Sequence, residues 1–134
     1  MNYFNIKRII RIGILGATPH SIKIRDVILM VAAGTDSMIN QKIANGYNIA
    51  TSATFSLLHR TYETVKIMDI PVKVGNVFRS DLYYDPDESL ISTLETSGVL
   101  GIDIEVAGFI WYCSTINIES LAILTISEHC LTGE

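Results

Sequence analysis

The chain has 134 residues, a length suited to one domain with a single core. Hydrophobic residues make up 49% of it, which excludes intrinsic disorder, and the formal net charge of −4 comes from interspersed acids and bases. No Lys/Arg block suits nucleic acid, no basic amphipathic stretch suits a membrane surface, and the longest apolar runs, around 27–34 and 120–126, fall far short of the ~20 residues that span a bilayer.

Residues 7–15 read as a strand; Arg11 breaks the apolar run behind Lys7 and Arg8, which argues against a signal peptide and for a cytoplasmic protein. Residues 16–20 read as a turn and 26–33, rich in Val and Ile, as a second strand. The polar stretch 35–51 reads as an irregular excursion. Phe55, Leu58, Tyr62, Val65, Ile67 and Met68 are spaced for a helix over 54–68 with one buried face. A third strand is expected over 71–78. Asp85-Pro86-Asp87 is a turn signal, with Asp87 the N-cap of a helix through Ser97 that Gly98 ends. A fourth strand at 99–104, a helix at 105–117 and a last strand at 120–126 complete the chain. This alternation predicts an α/β domain with a mainly parallel or mixed central sheet flanked by helices. In such sheets ligands gather at the carboxyl ends of strands, here 11–16, 78–84, 103–105 and 127–129.

Several chemistries find no support in the spacing. His20, His59 and His129 are far apart and form no HxH or HExxH pattern, so no metal site is expected. Cys113 and Cys130 fit no ligand spacing and read as free thiols in a reducing compartment. There is no GxSxG, GxGxxG or Walker pattern. What remains is Arg11 beside Gly13, either a bidentate anion ligand or a surface arginine of a strand. Glu105, between a strand and a helix, can accept two hydroxyl hydrogen bonds or simply complement the helix dipole. Tyr83 offers either a stacking face or ordinary packing.

Four separated stretches, in order, carry a resemblance: Arg8-Ile9-Ile10-Arg11-Ile12-Gly13 with Gly16-Ala17; Arg25-Asp26-Val27 with Gly34-Thr35-Asp36-Ser37; Val74-Gly75-Asn76-Val77-Phe78-Arg79-Ser80-Asp81-Leu82-Tyr83-Tyr84; and Gly101 to Gly108, followed by Ser127-Glu128-His129. From about residue 3 to its end the sequence resembles the purine nucleoside phosphorylases of the hexameric bacterial type, within the nucleoside phosphorylase/uridine phosphorylase family. The resemblance implies phosphorolysis of purine (deoxy)ribonucleosides to free base and (deoxy)ribose-1-phosphate in purine salvage, with inorganic phosphate as co-substrate and no further cofactor. It implies that Arg11 binds phosphate, that Asp103, Ile104 and Glu105 hold the ribose, that Tyr83, Ile102 and Ser127 meet the base, and that Glu128 is the catalytic acid protonating a purine ring nitrogen.

The sequence departs from that pattern in places. Ile14 stands where a small hydroxyl residue is usual, Asp103 where a Glu is usual, Ile104 where a Met is usual, and Glu128 where an Asp is usual. The extra methylene moves the Glu128 carboxyl by ~1.5 Å, one carbon–carbon bond. Family members are longer, so residues 1–134 correspond to a single phosphorylase-like domain without the family's N-terminal strands and phosphate loop or its C-terminal helix. A homo-oligomer is implied, hexameric in the family. A related hydrolytic nucleosidase shares the fold. The alternative expectation is a catalytically impaired fragment that keeps the fold and oligomerises or binds nucleoside without turnover.

Overall fold

The structure, a computed structural model, describes residues 3–81 and 87–132. The elements in chain order are β1 (Arg8–Ala17), β2 (Val27–Thr35), α1 (Met38–Ile43), β3 (Thr51–Ser52), α2 (Phe55–Ile67), β4 (Lys73–Arg79), α3 (Glu88–Thr96), β5 (Val99–Asp103), α4 (Val106–Thr115) and β6 (Glu119–His129). The strands form one sheet in the order β3-β2-β4-β5-β1-β6. β6 also pairs with β2 through Val27↔Thr125, Ile28↔Leu124 and Leu29↔Ile123, so five strands close into a ring. The sheet is mixed, as expected: β1–β6, β2–β4 and β4–β5 are parallel, while β1–β5, β2–β3 and β2–β6 are antiparallel.

The β-branched runs make strands because their side chains pack well on a pleated, half-buried surface. Leu15, Ile28, Met30, Val77, Leu124 and Ile126 turn into the main core and α4 closes it with Val106, Ala107 and Ile110. α4 is apolar on nearly every side and is the helix most deeply bound to the sheet. A smaller cluster of Ile91, Leu94 and Ile102 seats α3 on β5.

Two expectations are corrected. The stretch 35–51 is not simply irregular: it contains α1 and ends on the first residue of β3. α1 buries none of its own residues and so shows no apolar periodicity; it is held by its cap, the Ser37 side chain accepting from the Ile39 N–H at 3.3 Å. α2 forms where expected, but Phe55 and Tyr62 face solvent, and Leu57 is its buried residue, with Thr61 and Val65 half-buried one and two turns on. Thr54 holds the start of α2 to β6: its N–H donates to the Ser120 carbonyl (2.8 Å) and its hydroxyl accepts from the Ser120 N–H (3.0 Å).

Candidate active site

Three of the residues singled out in the sequence meet at the carboxyl end of β5. Arg11 is the fourth residue of a ten-residue strand, not a strand end as its neighbourhood suggested. It reaches the end of β5 because β1 runs antiparallel to β5. Its Nη2 donates to Glu105 Oε2 at 2.8 Å. Nη1 lies 3.0 Å from Asp103 Oδ2, an ion-pair distance, but its N–H bonds do not align on that oxygen or on any other acceptor among the described residues. Asp103 is buried, which requires its charge to be matched. It is matched by Arg11 on one oxygen and by two backbone donors on the other, the N–H groups of Glu105 (2.6 Å) and Val106 (2.5 Å).

Those two N–H groups open α4, whose N-cap residue is Glu105. The capping oxygen therefore comes from Asp103, two residues earlier, and the Glu105 carboxylate is left to the cleft and to Arg11. Ile104 is half-exposed between them, and its carbonyl is taken by Arg79, whose Nε donates at 2.8 Å. Arg79, level with Asp103 in the β4–β5 ladder, also contacts Asp81 Oδ1 with Nη2 at 2.9 Å. Asp36 completes this clasp: its carboxylate accepts from Ser80 Oγ at 2.9 Å and from the Asp81 N–H at 3.3 Å. Arg79 and Asp36 lie inside the motifs quoted above but drew no role there. A charged residue closing β4 is the signal that points to Arg79, by the same carboxyl-end rule that drew attention to 78–84.

A cleft of about 460 Å³ opens in front of these groups, lined by Arg11, Arg79, Glu105, Ile39, Phe109 and Tyr112 among others. A neighbouring hollow of about 410 Å³, between α1 and the chain leading to β3, shares Asn40 and Trp111 with it. Among the described residues no charged side chain lines that second hollow, whereas Arg11, Arg79 and Glu105 line the first.

The remaining candidates are spread along the sheet. Ser127 is the extra residue of a β-bulge: Leu15 pairs with Ile126 and Gly16 with Glu128. The bulge leaves Ser127 exposed and Glu128 half-buried beside the end of β1. The Arg11 guanidinium leans along β1 over Gly13, which brings the cation nearer to the level of Glu128 than its own Cα is. His129 is anchored: its Nδ1 accepts from the Leu131 N–H (3.3 Å), which leaves the proton on Nε2, 3.2 Å from the Pro19 carbonyl, and its ring stacks on His20. Ile102 is buried against Ile91 and Leu94. Tyr83 lies outside the described residues. Among the described residues no group of three or more His, Cys, Asp or Glu could hold a metal ion, and no helix is long and apolar enough to cross a membrane.

The sequence profile of the phosphorylase superfamily matches residues 1–134. The chain belongs to the phosphorylase superfamily. Among superfamily relatives it is 62% identical over 134 residues to the DeoD-type purine nucleoside phosphorylase of Shewanella oneidensis, covering 100% of this chain and 57% of that protein. It is 37% identical over 131 residues to the DeoD-type 1 purine nucleoside phosphorylase of Photobacterium profundum, covering 98% of this chain and 54% of that one. A solved structure described as the P knowlesi homolog of P falciparum PNP superposes with a TM-score of 0.85 over 95% of this chain and 53% of its own, at 20% identity. That likeness concerns the fold. The phosphorylase-superfamily chain thus spans a little over half the length of the curated relatives it matches.

Proposed function

We propose that this chain carries the sugar- and phosphate-handling part of a purine nucleoside phosphorylase, cleaving purine (deoxy)ribonucleosides with inorganic phosphate to free base and (deoxy)ribose-1-phosphate in a salvage role in the cytoplasm. The observation that carries the reading is the meeting of Arg11 and Glu105 at 2.8 Å in one cleft, in a chain with named purine nucleoside phosphorylase relatives. Each group suits one half of the reaction. The guanidinium, whose Nη1 meets no acceptor in line among the described residues, offers its charge and charge-assisted donors to a phosphate dianion. The Glu105 carboxylate, half of it still open to the cleft, offers acceptors to the sugar hydroxyls and fixes the anomeric carbon above the phosphate. As the glycosidic bond breaks, positive charge grows on the sugar and negative charge on the base. Glu128, in its protonated form, would deliver a proton to the ring nitrogen of the leaving purine. Ser127, exposed by the bulge, and Tyr83 would meet the base, Asp103 and Ile104 would shape the sugar side of the cleft, and Ile102 would support the base side from beneath. Copies of the chain would assemble as a homo-oligomer.

The test is release of hypoxanthine from inosine. Phosphate-dependent release is expected, and it should fall by roughly 10²-fold or more in Arg11→Met and in Glu105→Gln, since each removes a charged contact that orients a reactant. Glu128→Asp is expected to raise the rate, because it withdraws the carboxyl by one methylene to the position usual in the family. Absence of phosphate-dependent release at high enzyme concentration, in the parent chain and in Glu128→Asp alike, would overturn the proposal.

A further inference from the structure

Gly13 sits two residues after Arg11 on β1, so the two share a face of the strand, opposite the exposed row of Ile10, Ile12 and Ile14. A Cβ built on Gly13 would lie 2.6 Å from Arg11 Nη1, 3.1 Å from Cζ and 3.3 Å from Nη2. The three nearest atoms thus all belong to one guanidinium, which lies flat on the glycine. No backbone or core atom comes nearer than these three, and the Gly13 backbone is not in the left-handed region that favours glycine. Gly101 is different: there a Cβ would run into the Gly16 carbonyl oxygen and the Leu15 side chain, so the strand crossing itself demands glycine.

From this contrast we infer that Gly13 is a positioning residue, the seat that holds the Arg11 guanidinium against Asp103 and Glu105. The inference rests on the reading of Arg11 as the phosphate cation. A methyl group at position 13 lifts the guanidinium off the strand, because the long arginine side chain is the part free to move. Its contacts at 2.8 Å with Glu105 and 3.0 Å with Asp103 are then lost or lengthened. The strand itself gains, since alanine gives up less conformational freedom than glycine inside a strand. The substitution is therefore distinguishable from a packing defect: loss of a seat costs no more stability than removing the cation itself, because what is lost is its contact with buried Asp103, whereas a defect in the strand adds to that cost.

The experiment compares the parent chain with Gly13→Ala, Arg11→Met and the double variant. It reads Tm, phosphate affinity by calorimetry and the Arg11 Nε–H resonance in nitrogen-15 NMR spectra, assigned by its disappearance in Arg11→Met. Gly13→Ala is expected to lower Tm by no more than Arg11→Met does, since what it loses is the cation's contact with buried Asp103, to weaken phosphate about tenfold, the worth of one charge-assisted hydrogen bond, and to shift or broaden the Arg11 resonance. The double variant should bind phosphate no worse than Arg11→Met alone, because the glycine acts only through the arginine. An unchanged Arg11 resonance in Gly13→Ala overturns the inference. So does a double variant that melts clearly below Arg11→Met, which would show that the glycine serves the strand itself. If Arg11→Met leaves phosphate affinity untouched, the phosphate reading of Arg11 fails instead; the seat is then judged on the resonance, a shift sustaining it and constancy refuting it.

Discussion

At the scale of single residues, position rather than residue type decides what each group can do. Gly101 shows the structural extreme. Its missing side chain lets β5 cross β1 where Gly16 pairs with Ile102 and Ala17 with Gly101. In Gly101→Ala the obstacle is partly a backbone carbonyl, which cannot swing away as a side chain can. A destabilisation of about 3 kcal/mol or more is expected in urea unfolding, at the upper end of overpacking costs. A loss below about 1 kcal/mol would show that β1 and β5 can part there cheaply. Cys130 shows the electrostatic counterpart. Burial, reinforced by the negative charge of Glu128, pushes its thiol up to about 11 from an ordinary value of 9.0. The folded chain keeps this proton while the unfolded chain releases it, so stability is fully present below about pH 9 and falls as pH rises towards about 11. Cys113, raised by burial, acts in the same direction. Cys130→Ser should therefore flatten the alkaline decline in Tm. Glu128→Gln should speed labelling of Cys130 by thiol reagents at pH 8 to 9, because removing the neighbouring charge favours the thiolate. A labelling rate indifferent to Glu128→Gln would refute the coupling.

At the scale of elements, Asp103 joins a strand to a helix. One oxygen caps α4 and the other balances Arg11, so the same buried carboxylate fixes both the helix start and the cation. Asp103→Ala removes a buried partner of an ion pair together with a helix cap, and should cost about 3–5 kcal/mol in chemical unfolding. Asp103→Asn keeps an acceptor for the Glu105 and Val106 N–H groups and should cost clearly less while still loosening Arg11. Equal losses for the two variants would mean that the cap contributes little. This double duty also explains what was legible in advance. The strands of Val and Ile, the cap at Asp87 and the stop at Gly98 act locally, so β1, β2, β4, β5, α3 and α4 could be read directly. α1 could not, because its support is a serine cap and it buries none of its residues. The buried face of α2 was read in part: Leu58 and Val65 are half-buried as expected, but Leu57 and Thr61 complete the face in place of the larger Phe55 and Tyr62. At the site, Arg11 and Glu105 stood out through motif and strand end. The Asp103 cap is local but sits two residues before the N-cap position, where Glu105 drew the attention, and the Arg79 clasp depends on the β4–β5 pairing.

At the scale of the whole molecule, the closing of β6 onto β2 is the feature least visible in sequence, since it joins residues almost a hundred positions apart. Closure removes edges for most of the ring but leaves one strand half-covered. Among the described residues β1 pairs with β6 along its length, whereas β5 meets it only at Gly16 and Ala17. Residues 8–15 thus present a second edge with no described strand against it, and the outward row on the same strand is Ile10, Ile12 and Ile14, with Ile12 79% exposed. Natural proteins protect such edges with charge. Here both arginines of the strand are engaged elsewhere, Arg8 with Glu119 and Arg11 with Asp103 and Glu105. An uncovered, apolar, regular edge joins copies of a chain to one another or to any strand of matching pattern. Self-association that strengthens with concentration is therefore expected in sedimentation velocity runs. Ile12→Lys places a charge in the middle of the row at a site with little to lose by way of packing. It should weaken the association at least severalfold while changing stability by less than about 0.5 kcal/mol, the usual range for an exposed substitution. Arg11, facing the other way, keeps its contacts, so phosphate affinity should not change with it. Should Ile12→Lys associate as strongly as the parent chain, copies meet through another surface, and the exposed residues of α1 and the cleft mouth, Met38, Ile39, Ile43 and Tyr112, become the ones to charge next.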